Sequence, residues 1–444
     1  MNIICCGAGT VGVQAAEALV AAGHNVTVID LKEERLRALG DRLDVKTFHG
    51  SCAHADVLGE AGAGRAGMVL ASTNADEVNL LTAAVGKALG AKMTVARVHG
   101  SGFFEHRNLD YRRLLGIDHL ICPEYSTAMA IASFLRNPGA ICVESFADNK
   151  IHMQQLEAGA CAVGATLAEL SLPPGLRLAA ITRRGRTFLP KAETTIESGD
   201  VVTLVGNTGL FAAGRKRLAG GAPRPQNVVM MGGSPIAVWL CRALAEDDFE
   251  IRVFEQVRER AEKLASRLDG VTIINADPTD PAVFKEERLG AADVFIGLLG
   301  DDEHNILACA WAKNRGVRQT VAVVQRANYL YLLEPIGIDH AVSPRLAVVR
   351  EIERLLAAGA LRRAAALAEG SLDVYEVRVG AACAIADKPL KEIQLVPDMV
   401  IAAIQHGAET FVPGAGDCVR GGDRLLVVGA RGIEPALQRL FAAE

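Results

Sequence analysis

The sequence predicts an α/β protein: two Rossmann-like, doubly wound parallel-sheet domains, each followed by a small α+β subdomain. Three observations lead there: the chain repeats itself, short apolar runs alternate with helical stretches, and a glycine-rich turn stands between the first strand and the first helix. Gly116-Ile117-Asp118-His119 returns as Gly337-Ile338-Asp339-His340, an offset of 337 − 116 = 221. Thr187-Phe188-Leu189-Pro190 returns as Thr410-Phe411-Val412-Pro413 and Gly199-Asp200 as Gly422-Asp423, both offset by 223. Asn2-Ile3-Ile4-Cys5-Cys6-Gly7 matches Asn227-Val228-Val229-Met230-Met231-Gly232, offset by 232 − 7 = 225. So narrow a drift means one duplicated two-part module, since solenoids repeat every ~20–50 residues.

Each element of the first copy follows from local pattern. Residues 2–6 form an apolar strand, Gly7 to Gly12 a turn, and Val13 to Ala22 an alanine-rich helix stopped at Gly23, a residue suited to the left-handed helix stop. Strand 26–30, helix 33–43, strand 45–48, a helix around 54–61, strand 68–71, helix 75–89 and strand 92–98 follow. Such alternation implies a parallel sheet covered by helices on both faces. A helix from Ser126 to Leu135, stopped by Asn137-Pro138, leads out; its apolar Ala128, Met129, Ile131, Ala132, Phe134 and Leu135 exceed one narrow stripe and call for burial. Short strands at 140–145, 151–156, 178–182 and 201–205, separated by turns such as Arg183-Arg184-Gly185-Arg186, make the small module. Gly220-Gly221-Ala222-Pro223-Arg224-Pro225 reads as a linker. The second copy runs over 227–362 and 372–429, with 353–368, rich in Ala, Leu and Arg, as a helix. The domains expected are 1–135, 136–222, 223–362 and 363–444.

Composition excludes several classes. Half of the 444 residues are hydrophobic, ample for packed cores, and the net charge is −5, so no basic field invites nucleic acid or anionic lipid. Mean hydropathy is +0.21, yet no run of ~18 uncharged apolar residues occurs, which argues against direct membrane insertion. Met1-Asn2-Ile3-Ile4 lacks the positive region of a signal peptide. The ten cysteines include no Cys-x-x-Cys, so neither a zinc site nor a thioredoxin-like pair is indicated, and no metal is expected. A cytoplasmic protein is the expectation.

The candidate site is the turn Gly7-Ala8-Gly9-Thr10-Val11-Gly12, a G-x-G-x-x-G between strand and helix. The first glycine permits the turn, the second lets a pyrophosphate approach the backbone, and the third lets helix pack on strand. The phosphates would meet free N–H groups at the positive helix end. Asp30, 30 − 7 = 23 residues on, can accept bonds from ribose hydroxyls and argues for NAD over NADP. Other strand ends complete the pocket: Ser51 and Cys52 after the third strand, Thr73 and Asn74 after the fourth, Arg97 and Val98 at the fifth. Asn74 can also cap its helix, with Glu77 three residues later. The second copy reads Gly232-Gly233-Ser234-Pro235-Ile236-Ala237. There Ser234 crowds the pyrophosphate approach, and Glu255 keeps the acidic position with a longer side chain that shifts the carboxylate. Leu299 and Val323 replace Thr73 and Arg97, so polar groups have become apolar, and Asp301-Asp302-Glu303 adds negative charge at the pocket edge. This second site is expected to be weakened or specialised.

These residues, with Thr73-Asn74-Ala75-Asp76-Glu77-Val78-Asn79-Leu80, Ala96-Arg97-Val98 and the Gly-Asp corners, resemble the TrkA family of potassium-uptake regulatory subunits. Its chains carry two RCK (regulator of conductance of K⁺) units, and the resemblance covers essentially the whole length. It implies NAD(H) and ATP or ADP as ligands, and a homo-tetramer whose eight units form a ring. It also implies a position on the inner face of the cell membrane, docked on a TrkH-like potassium channel or transporter subunit and gating it by conformational change. An NAD-dependent dehydrogenase is the main rival. It needs a catalytic group beside the nicotinamide, yet none of Tyr111, Tyr125, Tyr329, Tyr331 or Tyr375 has Lys four residues later, and His152 reads as a strand-surface residue. No catalytic residue is therefore assigned. A ligand-sensing subunit of another cation transporter would use the same module.

Overall fold

Apolar strands of valine, isoleucine and cysteine have no polar face to offer water, so they must lie inside a sheet covered on both sides. In this computed structural model, which describes residues 1–104, 109–136, 140–146, 151–218, 226–245, 247–356, 361–367, 372–381, 383, 385–393, 395, 399–407 and 409–441, that is where they lie. In chain order the first copy runs β1 (Asn2–Cys6), α1 (Thr10–Ala21), β2 (Asn25–Asp30), α2 (Glu33–Gly40), β3 (Lys46–His49), α3 (Ala55–Glu60), β4 (Met68–Ala71), α4 (Asp76–Ala88), β5 (Thr94–Arg97), α5 (Ser101–Phe104), α6 (Tyr111–Leu114), β6 (His119–Ile121) and α7 (Pro123–Arg136). The sheet is parallel in the order β3-β2-β1-β4-β5-β6. Strand order reverses between β1 and β4, and at such a switch point ligands bind outside the carboxyl ends of the strands. β4 and β5 are buried throughout.

The small module follows with β7 (Ala140–Phe146), β8 (Ile151–Glu157), β9 (Leu176–Arg183), β10 (Arg186–Phe188), β11 (Val201–Asn207) and α8 (Phe211–Leu218). The second copy repeats the parallel half as β12 (Gln226–Met231), α9 (Pro235–Ala243), β13 (Phe249–Phe254), α10 (Arg258–Ala265), β14 (Thr272–Ile274), α11 (Pro281–Glu286), β15 (Val294–Gly297), α12 (Asp302–Asn314), β16 (Gln319–Val323), α13 (Leu330–Leu333), β17 (His340–Val342) and α14 (Pro344–Leu356). It ends with β18 (Leu361–Leu367), β19 (Leu372–Arg378), β20 (Met399–His406), β21 (Glu409–Phe411), β22 (Arg424–Ala430) and α15 (Glu434–Phe441). The second parallel sheet has the matching order β14-β13-β12-β15-β16-β17. The small sheets, β10-β9-β11-β8-β7 and β18-β19-β22-β20-β21, are antiparallel and share one topology.

The chain forms two compact units: Met1–Ala132 with Pro225–Leu355, and Ser133–Arg224 with Leu356–Glu444. In the first, the two parallel halves meet through aromatic rings. Tyr125 of α7 and Phe104 of α5 stand edge-on to Trp239 of α9, at 5.1 and 6.0 Å between centroids, and Ser126 donates to Glu351 of α14 at 3.0 Å. In the second, Ile151, Met153, Ala179 and Val205 share a core with Leu372, Val374, Ala402, Leu426 and Val428. Arg177 reaches across to donate to the carbonyl oxygens of Ile401 (2.7 Å) and Pro413.

Several expected elements shift. Helix α1 starts at Thr10 rather than Val13, and α7 at Pro123 rather than Ser126; α7 buries Ala128, Ile131, Ala132 and Leu135. The helix expected over 353–368 is wrong in its second half. α14 ends at Leu356 and Leu361–Leu367 is strand β18, paired with β19 from Leu361↔Val377 to Leu367↔Leu372. The Ala/Leu/Arg composition favours helix, but an open sheet edge to pair with outweighs intrinsic propensity. A domain start at 363 therefore falls inside β18. The turn at 183–186 is a hairpin, with Arg184 and Gly185 both at positive φ (51° and 78°), as a two-residue type I′ connection requires. The linker at 220–225, Asn137-Pro138 and the His152 side chain lie outside what is described.

Candidate functional site

At the carboxyl edge of the first parallel sheet, three glycines of the opening turn each meet a different demand. Gly7 has φ +104°, and a Cβ there would sit 3.1 Å from the backbone of Ser72 and Thr73. A Cβ on Gly12 would lie 1.8 Å from the Gly7 carbonyl oxygen, so only glycine lets α1 pack this close to β1. Gly9 differs: its backbone is extended (φ −76°, ψ −178°), and nothing lies within 4 Å of where a Cβ would be. That space opens in front of the helix, whose first intrahelical bond is Val13 N–H to Gly9 C=O. The N–H groups of the preceding turn therefore have no intrahelical acceptor.

Asp30 ends β2, and its carboxylate is fixed from both sides. Oδ2 accepts from Ala8 N–H at 2.6 Å and Oδ1 from Lys32 N–H at 2.8 Å, with Arg35 Nη1 at 3.9 Å from Oδ2. Each oxygen keeps a lone pair for a further donor. Arg97, 8 % exposed at the end of β5, donates through Nη2 to Thr73 C=O at 3.0 Å, and its Nε is buried with no partner. Burial pulls its pKa below the usual guanidinium value, against the nearby Glu124 and Asp76. Thr73 is half-buried, Asn74 exposed, Ser51 half-buried, Cys52 and Val98 buried. Asn74 does not cap α4: the N-cap is Ala75 with no side-chain bond, because Asn79 already holds the loop. Its Oδ1 accepts from Thr73 N–H (2.7 Å), and its Nδ2 donates to Thr73 C=O (3.0 Å) and Arg97 C=O (2.9 Å). Asp76 accepts from His99 and Gly100 N–H. An open cradle at Gly9, a preset carboxylate and an unpartnered guanidinium Nε fit a ligand carrying phosphate and vicinal hydroxyls.

The second edge keeps the frame and changes the turn, with Ser234 where the first copy has Gly9. Glu255 accepts from Gly233 N–H (3.0 Å) and Val257 N–H (2.9 Å), matching Asp30; its extra methylene does not displace the carboxylate from these partners. Asn305 repeats Asn79, bonding Leu299 N–H and C=O and Val323 C=O. Apolar side chains crowd the turn instead. A Cβ on Gly233 would lie 2.2 Å from Leu264 Cδ1, and one on Gly232 would lie 2.8 Å from Leu299 Cδ2. Ser234 Oγ is buried without a partner. Pro235 opens α9, and Ile236 is buried. The acidic run is engaged within the protein at this edge. Asp301 caps α12 through His304 N–H, Asp302 accepts from Gln325 and Arg326 N–H, and Glu303 pairs with Arg326. Nor is this edge simply apolar, because Arg326 and Arg345 bring positive charge beside Asp302.

Comparison with known proteins agrees with this architecture. The TrkA-N domain family matches residues 3–123 and 228–344, and the TrkA-C domain family matches 156–218 and 374–442. The Trk system potassium uptake protein TrkA homolog of Archaeoglobus fulgidus is 34% identical over 436 residues, 96% of this chain and 97% of that one. The TrkA of Vibrio alginolyticus is 31% identical over 93% of this chain and 92% of its own. Among solved structures, the GsuK channel bound to NAD shares the fold at a TM-score of 0.62 and 18% identity, covering 100% of this chain and 79% of that one. The chain belongs to the TrkA family of Trk-system potassium uptake proteins.

Proposed function

We propose that this chain is the nucleotide-sensing regulatory subunit of a Trk-type potassium uptake system. It binds NAD(H) at the carboxyl edge of its first parallel sheet, with ATP and ADP competing there. The observation that carries this is the open space at Gly9 in front of the α1 N-terminus, beside the doubly anchored Asp30. Thr10, Val11 and Gly12 present backbone N–H groups to a pyrophosphate, and Asp30 accepts from ribose hydroxyls. Arg97 Nε and Thr73 stand at the far strand ends, with Ser51, Cys52, Asn74 and Val98 as walls. NAD- and ADP-bound forms of the GsuK channel, which share this fold, are consistent with the reading. The second edge takes NAD(H) weakly or not at all, since Ser234 stands where Gly9 leaves open space and Leu264 and Leu299 pack against the two glycines before it.

Binding at a sheet edge shifts a conformational equilibrium only through differential affinity for two states. Helix α7, which begins beside this edge and carries the chain into the second unit, is the element through which nucleotide identity reaches the small domains. Four chains supply an eight-unit ring under a TrkH-like membrane subunit. Among the described residues no helix is long and apolar enough to cross a membrane, so the chain sits peripherally on the inner face through that partner. Calorimetry with NADH, ATP and ADP tests the site: near one NADH per chain, with competition and no turnover, supports it. Steady substrate-dependent NADH oxidation favours a dehydrogenase.

A further inference from the structure

The helices that lead out of the two parallel halves begin with opposite charges. Helix α7 opens with Pro123 and Glu124, and α14, at the same place in the second copy, opens with Pro344 and Arg345. In the first copy the Glu124 carboxylate lies in the first turn, where the positive helix end favours an anion. Its Oε1 is 2.6 Å from His99 Nδ1, and the Cys122 thiol donates to Oε2 at 3.7 Å. The first turn of α14 holds no acidic residue. Duplication has left one helix mouth with a built-in anion and put a cation at the other.

What surrounds Arg345 suits an anion from outside. Strand β17 pairs with β16 as far as Val342 opposite Val323, and Val324 N–H donates to Val342 C=O at 2.9 Å. Ser343 therefore stands at the carboxyl edge of the sheet, beside the segment that carries Gln325 and Arg326. It directly precedes α14, and its C=O accepts from Ala347 N–H at 3.0 Å. The N–H groups of Arg345 and Leu346 come before that first intrahelical bond. A serine at this place ordinarily turns its hydroxyl onto such groups. Ser343, only 4 % exposed, does not: its Oγ is buried without a partner. Arg345 is half-buried and makes no hydrogen bond or ion pair among the described residues. The acidic neighbours are already engaged. Asp302 accepts from Gln325 N–H (2.7 Å) and Arg326 N–H (2.9 Å), and Glu303 is held by Arg326 (3.2 Å) and Tyr329 (2.9 Å). Burial lowers the Arg345 pKa, as expected of a cation short of counter-charge.

We propose that the mouth of α14 binds a phosphate-group anion, with the Arg345 guanidinium, the Ser343 hydroxyl and the Arg345 and Leu346 N–H groups as its donors. A guanidinium fork, a hydroxyl and two peptide N–H groups are donors for three oxygens, which a phosphate has and a carboxylate lacks. The bound anion fills the place that Glu124 holds in the first copy. It gives the second copy an input separate from the glycine turns, on the helix that leads into the second unit. The phosphate comes from free orthophosphate or from the terminal phosphate of a nucleotide.

Calorimetry on the full-length chain, with orthophosphate and separately with ATP, tests this. The titrations are repeated on Arg345→Gln, Arg345→Lys and Arg318→Gln. Arg318 pairs with Asp293 and precedes β16, at the opposite edge of the sheet, so it controls for non-specific anion binding. The expected result is saturable binding that Arg345→Gln weakens at least about tenfold, since a hydrogen-bonded charge is lost. Arg345→Lys, which keeps the charge without the fork, should lose less, and Arg318→Gln nothing. Urea midpoints equal to wild type show that the variants are folded. Orthophosphate binding that falls in Arg345→Gln while ATP binding does not supports the site with free phosphate as its ligand. Loss of one ATP site per chain supports it with a nucleotide phosphate. No saturable binding of either, or equal binding by wild type and Arg345→Gln, overturns the proposal. The orthophosphate titration involves no nucleotide, so it decides on this site even if the first edge fails to bind NADH.

Discussion

The turn glycines divide cleanly between folding and binding. Gly12→Ala places a carbon 1.8 Å from the Gly7 carbonyl oxygen, so α1 must move off β1; overpacking of this kind costs about 1–3 kcal/mol, read as a lowered urea midpoint. Gly9→Ala meets open space in an extended backbone. Its urea midpoint should stay near wild type, within about 0.5 kcal/mol, while NADH affinity falls at least tenfold, about 1.4 kcal/mol, because the new carbon stands where the pyrophosphate approaches. Asp30→Ala removes an ionised acceptor worth about 1.5–3 kcal/mol to a hydroxyl donor. It also strands Ala8 and Lys32 N–H, so binding and stability should fall together. Unchanged NADH affinity in calorimetry would remove Asp30 from the site.

Among the elements, the parallel halves were legible in the sequence because their strands are continuous apolar runs and their turns carry glycines that geometry enforces. Strand β18 was not, because alanine and arginine show no alternation and only its pairing with β19 defines it. Asn79 has no role that its sequence motif reveals. Its function emerges only from three-dimensional neighbours, although its counterpart Asn305, offset by 305 − 79 = 226, marks a position the duplication kept. The same holds for Asp118 and Asp339 in the repeated Gly-Ile-Asp-His. Each accepts from a threonine N–H and from a lysine, Thr94 with Lys87 and Thr320 with Lys313. That repeat ties α4 or α12 to the sheet and is a framework signature, not a ligand site. Arg345 is not legible in the sequence because it stands at the start of α14, away from the strand end that Arg97 occupies in the first copy. Asn79→Ala removes the partner of Thr73 N–H and Arg97 C=O and leaves Thr73 C=O with only the Arg97 guanidinium, in a largely buried setting. The expected loss is about 2–4 kcal/mol in unfolding. Asn305→Ala should cost a similar amount without changing NADH binding, which separates the frame from the site.

For the whole molecule, duplication has made a pair in which one edge keeps open space at Gly9 and the other carries Ser234 at that position, with Leu264 and Leu299 packed against Gly233 and Gly232. A single chain is therefore expected to bind about one NADH, and titration to two equal sites would show that those leucines yield to ligand. Light scattering on the pure protein should give a tetramer, or a dimer in exchange with it, since a tandem chain supplies only two units of a ring. In the proposed mechanism the first edge reads nucleotide and sets potassium conductance. Potassium flux into membrane vesicles bearing the Trk-type membrane subunit, with wild-type or Gly9→Ala chain added and NADH or ATP varied, tests it most directly. Flux that changes with nucleotide for the wild type, and no longer does so for a Gly9→Ala chain that still assembles, is the predicted result. Flux indifferent to nucleotide, or equally responsive with Gly9→Ala, would contradict it.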